Sequence, residues 1–148
     1  MREIFHVAAR LGLSLLLLSS FRGQSLSAQV ALSWDDLYDV TFETMPGDNW
    51  ACPRFGPALR ALDGREVYLT GYVLPTDVDD NRYYLSANAF ASCFFCGQAG
   101  PESVIELELE RATRNYRTDE WLRFRGVLRL NDWDRDHLYY RLEEAEEY

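Results

Sequence analysis

The sequence predicts a small, mainly β domain: an OB-like barrel of about five strands with short helices N-terminal to it, or else a β-sandwich. Three observations carry that expectation. Five segments after Arg65 alternate apolar and polar residues with the two-residue period of half-buried strands. Two of them hold a mid-segment glycine, Gly71 and Gly126, which permits the bend by which one strand serves both halves of a barrel. Turn-rich stretches such as TDVDDN and NDWDRD separate the segments.

Taken in order, the chain opens on residues 1–28, which read as a secretory signal. Arg2 and Arg10 precede the apolar run Leu11 to Phe21, and the small residues Ser25, Ser27 and Ala28 follow. The apolar run is too short to span a bilayer, which takes about 20 residues, so no stable membrane span is expected. Residues 29–148 are then a single exported domain, periplasmic or extracellular, with its barrel fold over roughly 33–146. Ser33-Trp-Asp-Asp36 has capping-box spacing and predicts a short helix over WDDL. DVTFET is a candidate strand, and residues 45–56, dense in Pro, Gly, Asp and Asn, read as loop. Pro57 opens a second short helix, closed by the turn Asp63-Gly64.

The five strands are then REVYLTGYVL, RYYLSA, SVIELELE, EWLRFRGVLRL and HLYYRLEEAE. In the first, Val67, Leu69, Gly71 and Val73 face one way; in the fourth, Leu122 and Phe124 oppose Trp121, Arg123 and Arg125. The link RATRNYRTD is short for the helix that would cap a barrel between its third and fourth strands.

The chain has 148 residues, a formal net charge of −9, no lysine, two histidines and three cysteines. Loss of residues 1–28 would remove three arginines and one glutamate and leave the domain more acidic still. A nucleic-acid module needs a basic footprint to displace phosphate counterions, so that partner class is excluded. The acidity fits either a genome that favours arginine codons or a high-salt habitat, where a carboxylate-rich surface stays soluble.

The order Trp34-x-x-Leu37, Leu62-Asp-Gly-Arg-Glu-Val67, Gly71-Tyr-Val-Leu-Pro75 and Tyr84-Leu85-Ser86 ahead of a cysteine loop resembles a bacterial exported family. It is the domain of unknown function numbered 3299, and the resemblance covers roughly residues 33–130. It implies export and the fold and brings no activity with it. The chain departs from the family at the cysteine loop. Where many members carry Gly-Ala-Cys-x-His, this sequence has Cys93-Phe-Phe-Cys96 without a histidine, so a ligand role there transfers at most to Cys93.

Three constellations could carry chemistry. Cys93 and Cys96 have redox spacing, but Gly97, Gly100 and Pro101 follow where a thioredoxin-type motif needs a helix to lower the thiol pKa. A disulfide stapling the loop, between Cys93 and Cys96 or from Cys52 to either, is the expectation for an exported chain. The three cysteines with His137 have the count of a tetrahedral zinc shell, which makes periplasmic zinc handling an alternative. Asp132, Asp134, Asp136 and Glu143 have the offsets of a calcium loop, although His137 stands where such a loop needs glycine, and a solvated turn explains the aspartates as well. Tyr68, Tyr72, Trp121 and Trp133 are candidate binding-face aromatics, since neighbours on a strand point to opposite faces. No Ser-His-Asp set, phosphate loop or open metal site emerges. The reading is therefore a non-catalytic binding or accessory module with a protein or small-ligand partner and no predicted cofactor; thiol–disulfide oxidoreductase is the enzymatic alternative.

Overall fold

The structure, a computed structural model, describes residues 29–44, 46–47, 50–77, 82–110 and 114–148; the expected signal, 1–28, lies outside them. Among these described residues eight strands and two short helices run in the order β1 (Val30–Ala31), α1 (Trp34–Leu37), β2 (Val40–Thr44), β3 (Ala51–Phe55), α2 (Pro57–Arg60), β4 (Glu66–Asp77), β5 (Arg82–Ser86), β6 (Val104–Leu109), β7 (Trp121–Leu130) and β8 (Tyr140–Glu147). Three single-turn 3₁₀ helices, Phe90–Ser92, Phe94–Cys96 and Pro101–Ser103, fill the segment between β5 and β6.

The last five strands close a barrel. The wall runs β4-β5-β6-β8-β7 and returns to β4, with β6 and β8 parallel and the other neighbours antiparallel. This is the strand order of an OB barrel, and it leaves no open edge between first and last strand. β4 makes the closure. Its first half pairs with β7 up to Tyr72↔Trp121, and from Tyr72↔Ser86 onward it pairs with β5. Gly71 sits at that change of partner. A Cβ there would lie 2.6 Å from the Ser86 carbonyl and 2.8 Å from the Trp34 ring, so only glycine lets the chains meet so closely. At Gly126 the β7–β8 register shifts between Arg125 and Val127, the bulge expected from its position.

Inside the barrel Val67, Leu69, Val73, Leu85, Ile105, Phe124, Leu128 and Leu142 are buried, as the alternation requires. One end is covered by the N-terminal elements. The capping box at Ser33 is present, Leu37 and Leu59 are buried, and the buried Tyr140 hydroxyl donates to the Leu37 carbonyl at 2.8 Å. Trp34 Nε1 donates to the Thr70 carbonyl at 2.9 Å and fixes α1 across β4. At Tyr116, among the described residues of the link between β6 and β7, no helix forms. Instead the buried Tyr116 ring stands edge-on to Tyr83 and Phe124, with centroids 5.2 and 5.4 Å away.

One segment departs from expectation. Residues 45–56 read as loop, yet Ala51–Phe55 pairs antiparallel with β2 as a separate two-stranded sheet. Pro53 lies within that strand, opposite Phe42. A two-stranded sheet leaves each strand one unpaired edge, where a missing N–H costs no ladder bond.

Candidate functional site

The feature with the build of a binding site is a cleft of about 170 Å³ lined by Trp50, Phe94, Pro101, Arg135, His137, Leu138 and Tyr139. Three parts of the chain make it: the residue just before β3, the 3₁₀ segment before β6, and the β7–β8 loop. Tyr139 anchors its aromatic wall. Tyr139 packs against Trp50 and Phe42 with centroids 5.0 and 5.1 Å away, and its hydroxyl donates to the Ala51 carbonyl at 2.6 Å. Burial pushes the Tyr139 phenol pKa up, which keeps it a neutral donor. The Arg135 guanidinium lies over the Trp50 ring, 5.6 Å from its centroid.

The β7–β8 loop is held by Asn131, whose side chain is nearly fully buried. Its amide nitrogen donates to the carbonyls of Asp134 at 2.6 Å and Leu138 at 3.1 Å, and its oxygen accepts from the Asp134 N–H at 2.9 Å. On β6 Glu106 points out of the barrel between the inward Ile105 and Leu107. Its carboxylate meets His137 Nδ1 at 3.0 Å and accepts the Leu138 N–H at 3.2 Å. Among the described residues the His137 ring bonds no serine, threonine or cysteine, and its partner is the Glu106 carboxylate.

The other sequence candidates are scattered. Cys52, Cys93 and Cys96 are free thiols, so the expected disulfide is not seen. Cys52 lies on β3 with its sulfur 3.9 Å from the Asp132 carbonyl, whereas Cys93 and Cys96 belong to the 3₁₀ segment before β6. Cys93 is fully buried; Cys96 is exposed, and its thiol donates to the Phe90 carbonyl at 3.0 Å. Desolvation, followed by the hydrogen bond and charge of Cys93, pushes the Cys96 pKa up. The attacking thiol of a redox Cys-x-x-Cys pair is the first one, and here that is the fully buried Cys93. Among the described residues no group of three or more His, Cys, Asp or Glu is arranged to hold a metal ion. Cys52, Cys93, Cys96 and His137 therefore form no ligand shell in this geometry.

The weak calcium candidates are likewise not brought together. Asp134 Oδ1 accepts the Asp136 N–H at 3.0 Å within the turn, while Glu143 lies on β8 and is taken by Arg129 at 2.8 Å and Arg141 at 3.6 Å. The aspartates are a turn, and the twelfth-position glutamate belongs to the barrel wall. Tyr68, Tyr72 and Trp121 share the outer face of β4 and β7, and Trp133, 78% exposed, stands apart on the β7–β8 loop. Of the residues that line the cleft, His137 was a sequence candidate, and Trp50 before β3 and Phe94 and Pro101 around the cysteines were hidden in segments that read as loop. The signal available in sequence was the aromatic density of those loops.

No family model matches the chain, and no curated protein matches it. A solved structure does: a DUF3299 family protein from Pseudomonas aeruginosa PAO1 aligns with a TM-score of 0.53 at 14% identity. The alignment covers 82% of this chain and 97% of that one. The chain resembles a DUF3299 protein in its fold. At this identity the likeness speaks for the fold alone and not for any site.

Proposed function

We propose that the chain is an exported, non-catalytic binding module whose ligand enters the cleft between Trp50, Phe94 and Tyr139. The observation that carries this reading is the cleft itself: preformed aromatic walls with Arg135 and His137 on the rim. Its volume of about 170 Å³ is below the roughly 300 Å³ at which drug-sized ligands begin to fit. The occupant is therefore one planar ring or one side chain of a larger partner. Catalysis has less behind it, because among the described residues the His137–Glu106 pair meets no nucleophile and Cys93, the first thiol of the Cys-x-x-Cys pair, is fully buried. Export rests on residues 1–28 alone, and the mass of the mature protein, beginning near Gln29, tests it.

Chemical-shift mapping with phenol, 4-methylimidazole and acetate as probes tests the binding reading. A planar ring should move the Trp50 indole and Tyr139 resonances together, and acetate should move them less. Shifts spread evenly over the surface would defeat the proposal.

A further inference from the structure

Four side chains with polar atoms line the cleft: Trp50, Arg135, His137 and Tyr139. An indole and a guanidinium carry donors and no acceptor. The Tyr139 hydroxyl is committed to the Ala51 carbonyl at 2.6 Å. The carbonyls of the loop are taken by Asn131, whose Nδ2 donates to those of His137 at 3.4 Å and Leu138 at 3.1 Å, and whose backbone N–H donates to that of Tyr139 at 2.8 Å. His137 is the lining side chain left to present an acceptor to a ligand.

Which nitrogen carries that acceptor is decided from outside the cleft. Glu106, which does not line it, faces His137 Nδ1 with both carboxylate oxygens, at 3.0 and 3.1 Å. The second of these oxygens also accepts the Leu138 N–H at 3.2 Å, so the carboxylate is held in place. An ionised carboxylate only accepts. The proton of the neutral imidazole therefore sits on Nδ1, and Nε2 keeps its lone pair. Nδ1 and Nε2 lie on opposite edges of the ring, so the edge left to the cleft is the one with the acceptor. No described residue bonds Nε2. We infer, building on the binding reading of the cleft, that Glu106 sets what the cleft selects: a planar aromatic ring that carries a hydrogen-bond donor, as a phenol does. Its O–H donates to His137 Nε2, and its faces pack against Trp50, Phe94 and Tyr139. Glu106 touches no ligand; it is a positioning residue that acts through the histidine tautomer. A ring of the same shape without a donor gains the packing but leaves Nε2 without a partner.

Two measurements on the full chain test this, both at about pH 8, where an ordinary imidazole is neutral. Imidazole nitrogen NMR should show His137 protonated at Nδ1 with Nε2 bare, and Glu106→Ala should move it toward a mixture of tautomers. A carboxylate that merely braced the loop would not move that signal. NMR titration with phenol and with fluorobenzene, a ring of nearly the same shape that lacks the donor, then reads the selectivity. The ratio of phenol to fluorobenzene affinity should fall about threefold to tenfold in His137→Asn, in line with the loss of one neutral hydrogen bond. The asparagine amide keeps a donor near the Nδ1 position for Glu106, so the loop stays anchored while the Nε2 acceptor is removed. N-acetyltyrosinamide bound more tightly than phenol would assign the ring to a tyrosine side chain of a partner, and bound more weakly to a free phenol; either order supports the inference. Leu138→Trp, which fills the cleft, should abolish the binding of both rings. A proton on Nε2, or an unchanged affinity ratio in folded His137→Asn, would overturn the inference and leave the cleft reading standing. Binding of neither ring to the wild-type chain would overturn both.

Discussion

His137 Nδ1 lies 3.0 Å from Glu106 Oε1, and the neighbouring Leu138 N–H bonds the other oxygen of the same carboxylate at 3.2 Å. One outward glutamate of β6 thus fixes two consecutive residues of the β7–β8 loop, the segment that supplies one wall of the cleft. The side chain of Glu106 is largely covered, while that of His137 is about one-third exposed, so solvent screens part of the pair. Glu106→Ala should destabilise the domain by about 1–2 kcal/mol, because the Leu138 N–H loses its acceptor and the imidazole its partner. A shift in the urea midpoint with the slope unchanged checks it.

Tyr116 stands in for the helix that would otherwise close the barrel between β6 and β7. It is buried against Tyr83 and Phe124, and the Arg114 guanidinium covers its outer face at 4.4 Å from the centroid. Tyr116→Ala should cost about 3 kcal/mol or more, the usual loss for a large aromatic deleted from a core. Thermal and denaturant unfolding of the variant measure it.

Glu120 is held by Arg114 at 2.7 Å and Arg117 at 3.0 Å, and these two arginines lower its pKa from 4.5 to about 2. A depressed carboxylate stabilises the fold fully above its unfolded pKa and loses that contribution as pH falls through the folded one. Glu120→Gln should therefore be less stable than wild type at neutral pH. The difference should shrink between about pH 4.5 and pH 2. Carboxyl titration by NMR, followed by unfolding of both proteins across that range, tests the sign.

The cysteines give a further expectation. Alkylation under denaturing, non-reducing conditions should modify all three thiols, whereas a disulfide would protect two. In the native protein exposed Cys96 should react before buried Cys93, and only as pH rises above the ordinary thiol range, because its pKa is raised. A Cys96 already reactive at neutral pH would revive the oxidoreductase reading.

The barrel was legible in sequence because each of its five strands buries one face, so period-two alternation survives as a pattern. The glycines were informative for the same local reason: Gly71 and Gly126 stand where the backbone of a neighbouring strand approaches within a Cβ's reach. β3 was not legible. Its strand character comes from pairing with β2 and not from its own composition, and Pro53 and Cys52 gave no alternation to read. The cleft was obscured for a related reason. Trp50, Phe94 and Tyr139 are far apart in the chain and meet only because the barrel brings the 3₁₀ segment beside the β7–β8 loop. Spacing along the chain suggested a zinc shell and a calcium loop. In space, Glu143 is committed to Arg129 on the barrel wall, and Cys93 and Cys96 lie in a loop apart from Cys52 on β3.

The most direct test of the binding reading is the affinity of phenol for the wild-type chain beside the Leu138→Trp variant, followed through the Trp50 indole N–H resonance. The account predicts saturable shifts in the wild-type chain and their loss in the variant, with the barrel resonances of Val73, Ile105 and Leu142 unmoved in both. Shifts that persist with the cleft filled, or a Trp50 resonance that never responds, would contradict it.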